Sequence, residues 1–273
     1  MSTAERLPTL FIPHGGGPCF FMEPMPGMAA DTWDKMAAYL RGIDASLGTR
    51  PKAVLVISGH WETAVPTVNT SLAHTLLFDY YGFPEHTYRL TYPATGSPEV
   101  AERVRELLAK DHFLSDEDGQ RGLDHGVFVP FKLIYPNADV PVVQLSLQSD
   151  LDPATHLAVG RALAPLRDEG VLIVGSGMSY HNLRSFFVDD ARANRPAEEF
   201  DEWLNGAVTA PDGKERAAKL IMWRDAPGAV ASHPTPEHLL PLLIAAGAAE
   251  GDVATRVYSD RLLGKPISGF QFG

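Results

Sequence analysis

KAVLVISGHWE, residues 52–62, decides the fold. Its apolar run carries no polar alternation, the pattern of a strand covered on both faces rather than on one. LPTLFI (7–12), VPVVQLSL (140–147) and VLIVGS (171–176) repeat that pattern, each after a turn signal. Between them, apolar positions recur at helical spacing over residues 28–47, 97–111 and 152–170. Ser97 and Pro98 read as an N-cap and first helical residue, and Gly170 as a C-cap. The expected fold is α/β: a single domain over residues 1–273 with a central, largely parallel mixed sheet flanked by helices. No repeat, low-complexity tract or Pro/Gly/Ser-rich linker divides the chain. Residues 13–27 and 62–96 are expected to be irregular, and loops of that length in a compact domain usually carry function.

With 273 residues, 45% of them hydrophobic and 21% charged, the chain is long enough for a sizeable core and is not of disordered composition. Lys and Arg number 23 against 34 Asp and Glu, and the formal charge of −11 repels phosphate backbones and anionic membrane surfaces. Neither nucleic acid nor a membrane is an expected partner. No stretch approaches the roughly 20 apolar residues of a membrane helix, and a cytoplasmic location is expected. Cys19 is the single cysteine, which excludes an internal disulfide and a cysteine-rich zinc site. It is expected to be a buried thiol.

The ten histidines are unevenly placed. His14 follows LFI by two residues, His60 follows VIS by two, and His181 follows VLIVGS by five. In open α/β sheets ligands bind beyond the carboxyl ends of the strands, so these three histidines are expected at one rim. His125 lies in DHG, before VFVPFKLIYP. HPTPEH (233–238) reads as a helix start, with Thr235 as N-cap and Pro236 in the first turn, and offers His233, Glu237 and His238. A lone histidine at a strand end is ordinarily a hydrogen-bonded structural residue. Several at one rim suit a divalent cation, because neutral imidazoles gain little by crowding together but are good ligands. His74, His86, His112 and His156 are expected to be surface or packing residues.

Glycines in PHGGGP (13–18) and GSGMSYHN (175–182) let backbone approach a bound group closely. Neither stretch is a phosphate loop, and GxGxxG, GxSxG and HExxH are all absent.

Five segments in order, PHGGGP, SGHWE, LDHGVFVPFKLIYPNADVPVVQLSL, GSGMSYHNLR and HPTPEHLLPLLIAAGAA, together resemble the class III extradiol ring-cleavage dioxygenases, in particular the DOPA 4,5-dioxygenase-like branch. The resemblance spans nearly the whole chain. It implies a mononuclear non-haem Fe(II), with zinc often in its place in purified protein, held by His14, His60 and His238 at the carboxyl ends of the strands. It further implies His181 as the catalytic acid/base and His125 as a second histidine in the substrate pocket. Protocatechuate-cleaving relatives use two His and a Glu, a facial set with open positions, so Glu237 is the alternative third ligand. The implied reaction opens a DOPA-like or other catechol with O2 to a semialdehyde. A homodimer is the implied assembly, and no nicotinamide or flavin is needed.

Two rival readings use the same residues: a zinc hydrolase with three histidine ligands, and a non-catalytic metal- or small-molecule-binding protein. Tyr80, Tyr81, Phe83 and Tyr88 either stack on a substrate ring or pack in the core. Trp61 is expected to pack, and Glu62 to orient a neighbour of the metal ligands.

Overall fold

The computed structural model describes residues 6–273. Eight strands, β1 (Thr9–Pro13), β2 (Ala53–Thr63), β3 (Thr67–Asn69), β4 (Asp116–Asp118), β5 (Val142–Gln148), β6 (Val171–Gly177), β7 (Ala254–Leu262) and β8 (Lys265–Phe272), form one sheet in the order β4-β3-β5-β2-β6-β1-β8-β7. The four apolar runs of the sequence are its centre, and β5, β2, β6 and β1 are mutually parallel. Antiparallel pairings join β3 to β5, β8 to β1 and β7 to β8, while β4 runs parallel to β3.

Successive residues of a strand point to opposite faces, and both faces are covered here. Val54 and Val56 of β2 join the cluster under α1 (Asp34–Ser46) and α3 (His125–Ile134). Leu55 and Ile57 join the cluster built with α2 (Pro98–Lys110), α4 (Pro153–Leu163), α6 (Ala191–Val208), α7 (Gly213–Ile221) and α9 (Leu240–Ala248). Two single-turn helices, α5 (Leu183–Phe186) and α8 (Ala229–Ser232), complete the described helices. No described helix is long and apolar enough to cross a membrane.

Local chemistry sets the helix ends. Ser97 caps α2 by accepting from the Val100 N–H at 3.3 Å, as its sequence position suggests. α1 starts six residues later than expected, because the Thr32 hydroxyl donates to the Ala29 carbonyl at 2.7 Å and holds that stretch in turns. α4 gives way to a 3₁₀ turn at Ala164–Arg167, where Pro165 has no N–H for the next helical bond. α9 begins at Leu240 rather than at the expected Thr235: the Pro236 carbonyl accepts from Leu239 and Leu240 at 2.8 and 3.0 Å, closing a turn ahead of the helix.

The stretch 62–96 is less irregular than expected. β2 runs on through Thr63, β3 follows, and a 3₁₀ turn occupies Glu85–Arg89. Residues 13–27 contain one 3₁₀ turn, Cys19–Phe21, and Cys19 is buried there with its thiol pushed up to about 12 by that burial.

Candidate metal centre

His14 leaves β1 just past Pro13, with its N–H on the Gly177 carbonyl of β6 at 3.2 Å. Gly15 follows at φ +82, a conformation that turns the chain back across the cavity and strains any residue with a Cβ.

His60 lies inside β2, where pairing with β5 slips. Ile57 pairs with Leu145 and Glu62 with Leu147, so five steps on β2 oppose two on β5. Such a bulge re-aims side chains, and this one turns His60 into the cavity while Trp61 packs on the other side under the Arg121 guanidinium at 4.8 Å. Buried Asp124 holds the bulge from α3: it accepts from Ser58 Oγ at 2.7 Å and from Gln144, and Ser58 Oγ accepts the His60 N–H at 3.2 Å. Arg121 donates to the His60 carbonyl at 3.1 Å. Gly126 packs on the same spot, where a Cβ would lie 2.9 Å from His60 Cδ2 and 2.5 Å from Ser58 Oγ.

His238 sits in the turn before α9, with its carbonyl accepting from the Met178 N–H at 3.0 Å just beyond β6. His181, after β6, is tied through its N–H to the Ser232 carbonyl at 3.0 Å. Its ring stacks on His238, with centroids 3.4 Å apart and planes 15° apart. His125 opens α3 with its ring 4.0 Å from that of His60. All five imidazoles line one cavity of about 530 Å3.

The hydrogen-bond partners assign the tautomers. His238 Nδ1 faces Glu237 Oε1 at 3.1 Å, so that nitrogen carries the proton and Nε2 is bare. His60 Nδ1 faces Asp79 Oδ2 at 3.5 Å, which directs its Nε2 into the cavity. The two Nε2 atoms face one another at 3.2 Å across the cavity. His14 is 2% exposed, and neither of its ring nitrogens has a hydrogen-bond partner. Ligand atoms of His14, His60 and His238 all lie within 4.8 Å of one another. Imidazoles crowded in this way, with the nitrogens of His14 buried and unpartnered, fit a divalent cation, which would accept a lone pair from each.

Burial, followed by the neighbouring imidazoles, holds His14 and His60 well below the ordinary histidine range. Burial likewise brings His238 down to about 4, although Glu237 opposes it. The three are therefore neutral near pH 7, the protonation state a metal ligand requires. Burial raises the Glu237 carboxyl, but bonds from His181, His238 and Thr235 outweigh it and keep Glu237 ionised well below the usual carboxylate range.

Two carboxylates set the ring orientations, and sequence reading assigned neither that task. Asp79, from the 62–96 stretch, accepts from His125 Nδ1 at 2.7 Å and from the His125 N–H at 3.0 Å, and also faces His60. Glu237 Oε1 faces His181 Nδ1 at 3.3 Å and His238 Nδ1. Glu62, expected to orient a ligand, is exposed instead. Elsewhere His74, His86 and His156 bond backbone carbonyls of Val142, Phe21 and Asp152, while His112 is exposed. Tyr80 and Phe83 join the cavity wall, Tyr88 packs in the core and Tyr81 is 91% exposed.

His233 bonds the Ser179 carbonyl at 2.9 Å and is fully buried between Phe200 and Trp223. Burial brings it down to about 3, so the unfolded chain takes up a proton that the fold refuses as pH falls from ~6.5 to about 3. Its contribution to stability is complete above that window and is lost on acidification through it. The stability gap between the parent and His233→Asn is expected to close by up to ~1.4 kcal/mol per pH unit there. Chemical unfolding at stepped pH measures this, and parallel curves for the two proteins would refute it.

A family model described as the catalytic LigB subunit of aromatic ring-opening dioxygenase matches residues 8–271. The chain is 42% identical over 246 residues to a 4,5-DOPA dioxygenase extradiol of Beta vulgaris, covering 88% of this chain and 86% of that protein. To a protein of the same name from Escherichia coli K12 it is 35% identical over 272 residues, covering 99% and 93%. A crystal structure of an uncharacterized Escherichia coli K12 protein is similar with a TM-score of 0.77 at 33% identity, covering 98% of this chain and all 100% of that one. With the family match running through all five histidine-bearing segments that meet in the cavity, the chain belongs to the LigB family, as a class III extradiol ring-cleavage dioxygenase of the DOPA-dioxygenase-like branch.

Proposed function

We propose that the protein is a non-haem Fe(II) enzyme that inserts both atoms of O2 into a catechol, breaking the ring bond beside the two hydroxyl-bearing carbons to leave a semialdehyde. The observation that carries this reading is the convergence of imidazole nitrogens from His14, His60 and His238, those of His14 buried without a partner, at the carboxyl ends of the parallel strands. These three residues hold the metal, and Glu237 orients His238 rather than coordinating. Fe(II) held there would supply Lewis acidity towards the catechol hydroxyls and one-electron chemistry with O2.

The chain's own residues manage protons and position. His181 turns Nδ1 to Glu237, which leaves Nε2 as the atom that takes a catechol proton and later returns one to the opening ring. The adjacent carboxylate stabilises the imidazolium formed in between, as a buried acid does for a catalytic histidine elsewhere. Stacking on His238 fixes that ring next to the metal position. His125, with Nδ1 held by Asp79, offers Nε2 to a substrate or oxygen atom in the cavity.

Oxygen uptake on adding catechols to anaerobically Fe(II)-loaded protein tests the reading, with absorbance of the ring-opened product as the second signal. No uptake across a broad catechol panel would sink it. Zinc-loaded protein is expected to bind catechols without consuming oxygen, whereas a zinc hydrolase would work only in that form.

Asp79→Asn is expected to weaken metal binding or slow turnover by about 10–100-fold, since one carboxylate aligns both His60 and His125. Competition against a metal chelator and steady-state oxygen uptake measure the two effects; parental values in both would remove Asp79 from the site.

A further inference from the structure

The cavity is much larger than the ring it is proposed to open, and its chemistry divides in two. At the deep end stand the imidazoles, with His14 and His238 only 2% and 3% exposed. Towards the mouth the wall is Met25, Met28, Trp33, Phe83, Leu183 and Phe187, of which Leu183 and Phe187 are 66% and 64% exposed. Among the described residues no Lys or Arg lines the cavity, and Asp79 is its one carboxylate. Arg184, next to Leu183, is exposed and forms no part of the wall. The volume, about 530 Å3, lies within the ~300–1,000 Å3 of pockets that enclose drug-sized ligands. A bare dihydroxybenzene leaves most of that space unfilled.

A catechol held by both oxygens at the imidazoles must send its substituent away from them, along thioether, indole and phenyl surface. An ionic substituent lying along the inner part of that surface, short of the exposed mouth, loses hydration, and an anionic one meets no Lys or Arg among the described residues. For an anion, Asp79 and the net charge of −11 add repulsion. An alkyl or aryl substituent gains by leaving water, and methionine side chains adapt to its shape.

We infer that the substrate is a catechol carrying an uncharged alkyl or aryl ring substituent, rather than an amino-acid or carboxylic-acid catechol of the DOPA kind. The inference rests on the ring-cleavage reading above and narrows it. It departs from the substrate that the names of the DOPA dioxygenase relatives state for those proteins.

The test pairs 4-propylcatechol with 3-(3,4-dihydroxyphenyl)propionate, which differ by one carboxylate, and adds DOPA, 4-phenylcatechol and unsubstituted catechol. On Fe(II)-loaded protein, kcat/KM for the uncharged members is expected to exceed that for the ionic ones by at least about tenfold. Equal or higher kcat/KM for the acid or for DOPA overturns the inference while leaving ring cleavage standing. Absence of oxygen uptake with every member, unsubstituted catechol included, is instead the failure of the ring-cleavage reading. Calorimetric binding to zinc-loaded protein still decides the inference in that case, and acids that bind as tightly as their uncharged partners overturn it. Leu183→Arg and Phe187→Arg, at exposed positions, place a cation along the wall. Each is expected to raise the acid-to-alkyl ratio of kcat/KM about tenfold, and an unmoved ratio in both shows that the substituent does not lie there.

Discussion

Replacing His14 by alanine is expected to abolish metal binding and ring cleavage while leaving the metal-free protein as stable as its parent to within about 1 kcal/mol. The asymmetry follows from its surroundings. Both ring nitrogens are buried without a partner, so the metal-free fold gains no hydrogen bond from them and bears the cost of their lost hydration. Deleting the ring removes that cost, and because it borders an open cavity the deletion leaves no sealed void. With metal the balance reverses, since His14 is one of three nitrogens offered to it. Melting temperature against added Fe(II) or Zn(II) measures both halves: the parent should gain stability with metal concentration and the variant should not. Stoichiometric metal on the purified variant, or a metal-free variant several kcal/mol less stable, would falsify the assignment.

Changing His181 to alanine is expected to lower kcat on any cleaved catechol by about 10²–10⁴-fold with metal content unchanged. His181 touches the three proposed ligands only by stacking on His238, with its Nδ1 on Glu237, so its loss removes the proposed proton carrier and leaves the His14, His60 and His238 cluster in place. Metal analysis beside single-turnover product formation separates the effects. Parental turnover would take the proton-carrying role away from His181. Metal lost together with turnover would make the residue structural, acting through its stack on His238.

Much of this architecture is written in composition that needs no tertiary knowledge. The runs Val54–Ile57 and Val171–Val174 are apolar at every position, and only a doubly covered strand buries both sides of such a run; Val142–Leu147 is interrupted by Gln144 and Ser146, both buried. The β7–β8 hairpin escaped notice because its exposed and buried residues alternate irregularly, with the pairing itself slipping between Arg256 and Tyr258. The strand β2 was expected to end near Ser58, but it continues because Asp124, Arg121 and Gln144, all distant in sequence, hold the bulge that follows.

The same division runs through the site. His14, His60, His125, His181 and His238 were identifiable because each follows a strand or opens a helix in a segment that resembles the family, and backbone direction at strand ends is set locally. Which nitrogen of each ring is bare, and which carboxylate decides it, was not legible. Asp79 reaches His60 and His125 from an irregular stretch whose path no local pattern fixes, and Glu237 faces two rings from the turn that precedes α9, which starts later than its sequence suggests. Patterns of side-chain period and turn chemistry act over a few residues, so the sequence by itself determined the layers and the identity of the histidines. Hydrogen bonds between segments scores of residues apart exist only once the chain has packed, and tertiary structure alone decided which carboxylate faces each ring and which apolar side chains wall the cavity.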